Sequence, residues 1–465
     1  MSDRRLLARR IGGSTAGILL AAAAVAAAVQ PWPFVTATGL SDEAGSGPRV
    51  EVTPIAAETV LACDGPILAL GRDASDARGI EAVADMSVTM RNGDDADPVS
   101  ERTIDLPDVA SSLAVSQMPQ EGEPISVAAA GSVAVAEADL TGYAASACRT
   151  ASPESWIVGA TVATGTTDIL TIANPSDVAA TVSLSVYGVD GRSVPANGEI
   201  ALPPHTQRAI PVASIAAGEQ SPVIRVLAEG APVRTTLQSS RIVTLDPRGL
   251  DLQPGILPRT DSVIPRVVVT ESAARTGEEP TELRLLGTAG EEGTVDVSIV
   301  DVSTGEEVVS TTADLTPDAP MSLGFDSLEP GSYSVRMAGD TPFVGAVRQV
   351  AGDDYAWFVP GEELSQDGLV SIPSGPDDAF ALSFANVGEE TAEIAVEPVS
   401  GGDAQTLEIA PGRSVTSVVD DAQTYRLSVA AGRIVGSASV AADGAIASFP
   451  IEPDPAAPES IRVAP

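Results

Sequence analysis

The sequence predicts an all-β protein, and three observations lead to this prediction. Short runs of alternating apolar residues recur along most of the chain, as in strands with one buried face. Clusters of Gly, Pro, Asn and Asp separate these runs, as turns require. The pattern also repeats three times, which predicts tandem immunoglobulin-like β-sandwich domains behind one N-terminal transmembrane helix.

The repeat is clearest in the stretch "LTIANPSDVAATVSLSVYGVDG", which begins at Leu170 and has counterparts beginning at Leu283 and Leu382. Each copy shows an alternating run, a turn of small and acidic residues, and a second alternating run. We interpret each copy as a hairpin. Units of about 100 residues with about seven strands are typical of immunoglobulin-like sandwiches. A β-propeller built from the repeated hairpins is the alternative.

Composition shifts divide the chain into eight segments. They are a cytoplasmic basic segment (1–10), a transmembrane anchor or signal segment (11–30), a flexible tether (31–49), a disulfide-bracketed β domain (50–150), three β-sandwich repeats (151–258, 259–364 and 365–452) and a Pro-rich tail (453–465).

The N-terminus predicts the location of the protein. Four arginines within the first ten residues precede the uncharged run Ile11–Val29, which is long enough to cross a bilayer as a helix. The positive-inside rule places the arginines in the cytoplasm and the remaining chain outside the cell membrane. Cleavage near Ala26–Ala28, giving a secreted protein, is the alternative.

The charged residues exclude several functions. Acidic residues number 64 and basic residues 26, for a net charge of −38, and every basic residue is Arg. Such a field repels phosphate backbones, so we expect no nucleic-acid partner. Without Lys there is no Schiff-base chemistry, and the one His, His205, lies in a Pro-flanked turn. We therefore expect no enzyme and assign no catalytic residue.

Two cysteines and two tryptophans are the candidate site residues. Cys63 and Cys148 lie in the exported part, where two thiols most simply form a disulfide with each other. Trp156 and Trp357 each precede a predicted domain boundary, which indicates packing at domain junctions. Stacking of a glycan on these two rings is the alternative.

Three acidic turns are candidate calcium sites, although none has the spacing of an EF-hand loop. We expect solvated acidic turns and no cofactor, with Ca²⁺ binding as the alternative. The turns contain Asp94, Asp95 and Asp97, then Asp353 and Asp354, then Asp377 and Asp378.

The order of motifs resembles a known family. The stretches "LACDGP", "SACRTASPESWIVGAT", "DILTIANPSDVAATVSLSVYGVDG" and "ALPPHTQRAIPV" are similar to those of secreted or membrane-anchored actinobacterial proteins that share a domain of unknown function. His205 stands where that family has Gly. The resemblance implies a place in the cell envelope and supplies no catalytic residues.

These observations favour a non-catalytic, membrane-anchored scaffold or interaction protein of the cell envelope. Its expected partners are the membrane, through the N-terminal helix, and either an envelope protein or a cell-wall polymer. Sheet edges and domain-end loops are the expected contact surfaces. The alternative function is an accessory glycan-binding or glycan-processing protein that uses carboxylate chemistry.

Overall fold

A computed structural model describes residues 50–52, 56–93, 98–272, 281–376, 380–442, 444–456 and 461–463. The predicted transmembrane segment and the tether lie outside these residues. Within the described part of the chain, no helix has both the length and the apolar character needed to cross a membrane.

The described residues form two units. In the first, β1 (Val50–Val52) pairs antiparallel with β35 (Ile461–Val463). The second spans Pro54–Glu459 and contains all the other described strands.

The strands of the second unit fall into four consecutive segments, numbered here in chain order. Segment 1 contains β2 (Thr59–Ala62), β3 (Ile67–Leu70), β4 (Ile80–Ala84), β5 (Ser87–Asn92), β6 (Ser100–Leu106), β7 (Ala110–Gln117), β8 (Val127–Ala136) and β9 (Thr141–Ala147). Segment 2 contains β10 (Glu154–Ile157), β11 (Thr166–Asn174), β12 (Ala180–Gly188), β13 (Gly191–Ser193), β14 (Glu199–Leu202), β15 (Thr206–Pro211), a 3-10 turn (Val212–Ser214), β16 (Val223–Glu229), β17 (Arg234–Val243) and β18 (Asp246–Pro254).

Segments 3 and 4 contain the remaining strands of the second unit. Segment 3 contains β19 (Arg259–Val269), β20 (Thr281–Gly287), β21 (Gly293–Asp301), β22 (Glu307–Leu315), β23 (Met321–Gly324), β24 (Gly331–Ala351) and β25 (Asp354–Phe358). Segment 4 contains β26 (Glu363–Leu364), β27 (Gly368–Ile372), β28 (Phe380–Asn386), β29 (Ala392–Pro398), β30 (Gln405–Ile409), β31 (Ser414–Val418), β32 (Gln423–Ala431), β33 (Ile434–Ala442) and β34 (Ala445–Ile451).

The prediction of an all-β protein is confirmed. The described strands form several sheets with antiparallel neighbours. The exception is a short parallel contact between β6 and β15, at Asp105 and Thr206. Alternation of buried and exposed residues along strands such as β12 and β21 follows the two-residue period of a half-buried strand.

The predicted hairpins are wrong, because the two strands of each predicted hairpin do not pair with each other. Strand β11 pairs with β15 and β17, whereas β12 pairs with β14 and β16. Strands β28 and β29 also lie in different sheets, whereas β20 and β21 belong to one seven-stranded sheet, in which both pair with the long strand β24. Alternation identifies a strand and its buried face, but it does not identify the strand's partner. The turns of segments 2 and 4 are therefore arches between sheets, and in all three repeats the two strands do not pair directly.

Each repeated pattern encloses a hydrophobic core. In segment 2, apolar residues of β12 and β16 on one sheet meet residues of β11 and β17 on the other. Segment 4 builds its core from its two sheets in the same way. Aromatic residues are scarce, and five phenylalanines are among the largest side chains that are fully buried: Phe343, Phe358, Phe380, Phe384 and Phe449.

Segment 1 shares its strands with its neighbours. Strands β2, β6 and β7 extend the sheet that contains β11, β15, β17 and β18. From β9, Tyr143 and Ala145 pack into the core of segment 4. The predicted disulfide is confirmed, because Cys63 after β2 is bonded to Cys148 after β9. Segment 1 therefore lies between segments 2 and 4.

Candidate functional site

The last strands of the four segments contact one another. Strand β9 contacts β18 and β34, and β25 also contacts β18 and β34, so the four strands form a closed ring. Each of them also pairs with the preceding strand of its own segment. The ring thus joins all four segments.

One carboxylate, that of Asp354, holds this ring together. Its Oδ1 accepts hydrogen bonds from the backbone N–H groups of Leu250 and Tyr355, both at 3.0 Å. Its Oδ2 accepts from the backbone N–H groups of Tyr143 and Ile446, both at 3.1 Å. The four donors belong to β9, β18, β25 and β34, so one side chain binds every strand of the ring.

Glycine provides the space that this carboxylate needs. Gly142 has a φ of +151°, and a Cβ added there would lie 2.9 Å from Oδ1 of Asp354. The same Cβ would lie 2.5 Å from the backbone nitrogen of Leu250. Only a residue without a side chain allows β9 and β18 to approach Asp354 this closely.

Two further carboxylates are buried near the ring. Asp251 accepts the backbone N–H of Trp357 at 2.9 Å. Asp168 accepts the Ser239 hydroxyl at 2.5 Å and the backbone N–H of Thr161 at 2.6 Å. Both carboxylates therefore tie one stretch of backbone to another.

Burial shifts the ionisation of all three carboxyl groups toward neutral pH. It raises the pKa of Asp168 to about 7, of Asp251 to about 8 and of Asp354 to about 7. The backbone N–H donors oppose this shift at Asp354, because they stabilise the charged form. Shifted pKa values often mark active sites, but these groups are buried and bonded to backbone amides. Their observed contacts position strands.

The predicted acidic turn at 353–354 contains one exposed and one buried aspartate. Asp353 has a side chain that is 73% exposed and lies 3.4 Å from Arg248. Its neighbour Asp354 is 1% exposed, so the expectation of a solvated turn is wrong there. Among the described residues no cluster of His, Cys, Asp or Glu could hold a metal ion. The acidic turns at 94–97 and 377–378 lie outside the described residues.

The two predicted tryptophans come together in one apolar cluster between segments 2 and 3. Each ring is covered by a guanidinium, which lies 5.5 Å from the ring centroid for Arg225 over Trp156 and 4.9 Å for Arg284 over Trp357. Both tryptophans are 2% exposed. These contacts are packing contacts at a segment junction, and ligand stacking stays a prediction.

His205 lies in an exposed turn with a φ of +52°. Its Nε2 is 2.8 Å from Oδ1 of Asp177, a carboxylate in a nearby turn. Asn and His tolerate this left-handed conformation better than most residues with a side chain.

A second feature is a groove of about 1070 Å³ between segments 3 and 4. One wall is the outer face of β19, β21, β22 and β24, and the other includes residues of β26 and β33. Hydroxyl groups and charged side chains dominate the lining, and no described aromatic residue contributes to it. The groove is thus polar and differs in character from the cores beside it.

Arg336 lies on the sheet wall of this groove. On β24 it is directly opposite Ser298 of β21, which is opposite Ser310 of β22. Because directly opposed residues share a face, the three side chains form one polar row. Nη2 of Arg336 lies 3.3 Å from the carbonyl oxygen of Asn386 and 3.4 Å from that of Arg413.

The guanidinium of Arg336 is incompletely bonded. Its Nε is buried and has no hydrogen-bond partner. No carboxylate of the described residues forms an ion pair with it, whereas two other arginines of the groove are paired. Arg259 lies 2.7 Å from Glu362, and Arg433 lies 2.7 Å from Glu363.

Sequence reasoning named Asp354 only as part of an acidic turn expected to be solvated, and it missed Arg336. Asp354 is one of two adjacent acids in a turn, and nothing local distinguishes it from Asp353. Arg336 occupies an outward position in the run "GSYSVRMAGD", between the buried residues Val335 and Met337. An outward arginine on a strand is normally solvated, and only the packing of segment 4 over this face withdraws it from water.

Comparisons with known proteins add a family but no activity. A family model described as "Family of unknown function (DUF5719)" matches residues 104–420. No curated protein matches the chain. A solved structure, described as the pilus backbone RrgB from Streptococcus pneumoniae, is 9% identical and covers 78% of this chain and 93% of its own. Its TM-score is 0.12, which carries no argument about fold.

Proposed function

The chain belongs to the DUF5719 family, whose description assigns no activity, and we propose that it is a non-catalytic interaction protein of the cell envelope. The groove between segments 3 and 4 carries this proposal. It combines a ligand-sized volume with an arginine that lacks a counter-ion. Such a site suits binding, and the ring around Asp354 supplies the rigid support that binding sites need.

The disulfide between Cys63 and Cys148 indicates an extracytoplasmic location, because such bonds persist in oxidising compartments. The uncharged run Ile11–Val29 and the arginines before it support a membrane anchor with a cytoplasmic N-terminus. Three copies of one strand pattern, two of them folded as a pair of sheets, support tandem immunoglobulin-like sandwiches as the fold of the exported part.

The buried acids support a structural role over catalysis. Asp168, Asp251 and Asp354 would be the obvious candidates for acid–base chemistry, because their pKa values lie near neutral pH. Their oxygens accept hydrogen bonds from backbone N–H groups, and their side chains are withdrawn from solvent. A substrate would have to displace the contacts that hold the ring together.

In-cell photo-crosslinking tests this function. A photoreactive residue placed at Ser310, inside the groove, is compared with one at Leu245, which is 84% exposed on the turn between β17 and β18. Photoactivation is needed because a chain without Lys reacts poorly with amine-directed reagents. We expect repeated capture of one envelope protein or wall polymer from position 310 and not from position 245.

Two results would overturn the proposal. Equal capture from both positions would mean that contacts reflect exposure alone. No capture above background from position 310 would remove the groove as an interaction site.

A further inference from the structure

We propose that Arg336 anchors a carboxylate of an extended peptide segment that binds in the groove between segments 3 and 4. This inference rests on the proposed function and names the chemistry of the partner. It has three grounds: an unsatisfied guanidinium, the charge of the lining, and the dimensions of the groove.

The first ground is the state of the guanidinium itself. A charge withdrawn from water is costly unless it is paired and hydrogen-bonded. Arg336 has two long contacts to carbonyl oxygens, at 3.3 and 3.4 Å, and an Nε without an acceptor. Burial with no compensating negative charge also lowers its pKa. A carboxylate in the groove would supply the negative charge that this guanidinium lacks.

The second ground is the lining, which selects a carboxylate. An arginine fork matches the two oxygens of a carboxylate, and Ser298 and Ser310 extend the row with hydroxyl donors. Asp261, Asp296 and Glu307 also line the groove. They disfavour a doubly charged phosphate or a polyanion, and so does the net charge of −38.

The third ground concerns the rest of the ligand. A volume of about 1070 Å³ is at the upper end for small-molecule pockets, so the groove accommodates more than a single carboxylate ion. Sugars and bases commonly stack on aromatic rings, and no aromatic residue among the described residues lines the groove. Hydroxyls and charges of both signs instead suit the amides and side chains of an extended peptide.

The test uses the full chain in detergent and a pair of blocked pentapeptides, Ser-Thr-Glu-Thr-Ser and Ser-Thr-Gln-Thr-Ser. Calorimetry measures their affinity, and NMR follows the arginine Nε–H signals. We expect the Glu peptide to bind about tenfold more tightly than the Gln peptide, a difference of about 1.4 kcal/mol. The Arg336 Nε–H signal should shift on binding.

Variants assign the effect to one residue. Arg336→Gln should abolish the preference for the Glu peptide, and Arg336→Lys should weaken it, because an ammonium keeps the charge and loses the fork. Arg433→Gln is the matched control, since Arg433 lies in the same groove but is paired with Glu363. It should keep the preference. Thermal unfolding of each variant verifies that it is folded.

Several outcomes would overturn the inference. Equal affinity for both peptides, or a retained preference for the Glu peptide in folded Arg336→Gln, would contradict the role of Arg336. Tighter binding of inorganic phosphate or of tetragalacturonate than of the Glu peptide would contradict the choice of ligand. The absence of saturable binding of any probe at about 10 mM, which corresponds to a binding free energy of less than about 3 kcal/mol, would contradict binding itself. Capture at position 310 together with any of these results would leave the proposed function standing.

Discussion

Asp354 and Arg336 are both charged side chains placed between segments, and their surroundings differ. Asp354 accepts four backbone N–H groups from four strands. Arg336 has two long contacts and an Nε with no partner. Burial alone therefore does not reveal the role of a charged group. Complete hydrogen bonding at Asp354 indicates a structural role, whereas the proposed peptide carboxylate would supply the counter-ion that Arg336 lacks.

A fully buried ion pair provides the reference for this comparison. Arg234 and Asp64 form an ion pair of 2.7 Å with side chains that are 4% and 7% exposed. Although burial opposes ionisation, the Arg234 charge and its hydrogen bond lower the pKa of Asp64. This arginine, unlike Arg336, has a carboxylate of its own.

The largest expected effect on the free energy of unfolding comes from a substitution of Asp354 in the ring. Replacing Asp354 with Ala leaves four buried N–H groups without an acceptor, so we expect the free energy of unfolding to fall by about 3–5 kcal/mol. Urea denaturation measures this change. The control is Asp353→Ala, at an exposed neighbour, which should cost less than about 1 kcal/mol. A loss below about 1 kcal/mol for Asp354→Ala would remove the structural role that we assign to it.

A smaller effect is expected from pH. The pKa values of about 7, 8 and 7 for Asp168, Asp251 and Asp354 exceed the ordinary value of 3.8, so the folded state binds protons more tightly. The stability that these groups contribute is complete below about pH 4 and is lost as the pH rises through 7 to 8. We expect the free energy of unfolding to fall between pH 6 and 8, by about 1–2 kcal/mol for each group that titrates there.

Asp251→Asn sharpens this pH test. The amide oxygen can still accept the Trp357 N–H, but the titrating group is gone, so the dependence on pH should become shallower. Denaturation at pH 6 and pH 8 gives the comparison, with Asp353→Asn as the exposed control. Stability that rises with pH in this window, or a slope that Asp251→Asn leaves unchanged, would contradict the assignment.

The smallest effect on the free energy of unfolding is expected from a substitution of Arg336. Arg336→Met removes a charge without a counter-ion and keeps the apolar stem, so stability should change by less than about 1 kcal/mol and can rise. Arg234→Met is the matched control, and it should cost about 3–5 kcal/mol because Asp64 would remain buried and unpaired. Thermal and urea unfolding measure both. Equal losses would show that Arg336 is as structural as Arg234.

The strands and the disulfide could be predicted, but the pairing of strands could not. Alternation at Leu170 and Ile172 reports which face is buried, because neighbouring side chains point to opposite faces. It does not report whether the next strand lies beside it or across the core. The hairpin predicted there is an arch, since β11 and β12 belong to different sheets.

The candidate sites were predictable only in part. Adjacency to boundaries identified Trp156 and Trp357 as junction residues, and they do share one cluster between segments 2 and 3. No local signal separates Asp354 from Asp353 or marks Arg336 among outward strand residues. Their environments depend on strands up to 211 residues away in the sequence.

The sequence by itself determined an all-β chain, three copies of one strand pattern, a Cys63–Cys148 disulfide and an acidic surface. These features follow from local periodicity, composition and the number of thiols. The tertiary structure alone decided that four last strands close a ring, that Asp354 is at its centre, and that Arg336 faces a groove without a counter-ion. The reason is physical: hydrogen-bond satisfaction and desolvation depend on which distant strands pack together, and periodicity does not encode that choice.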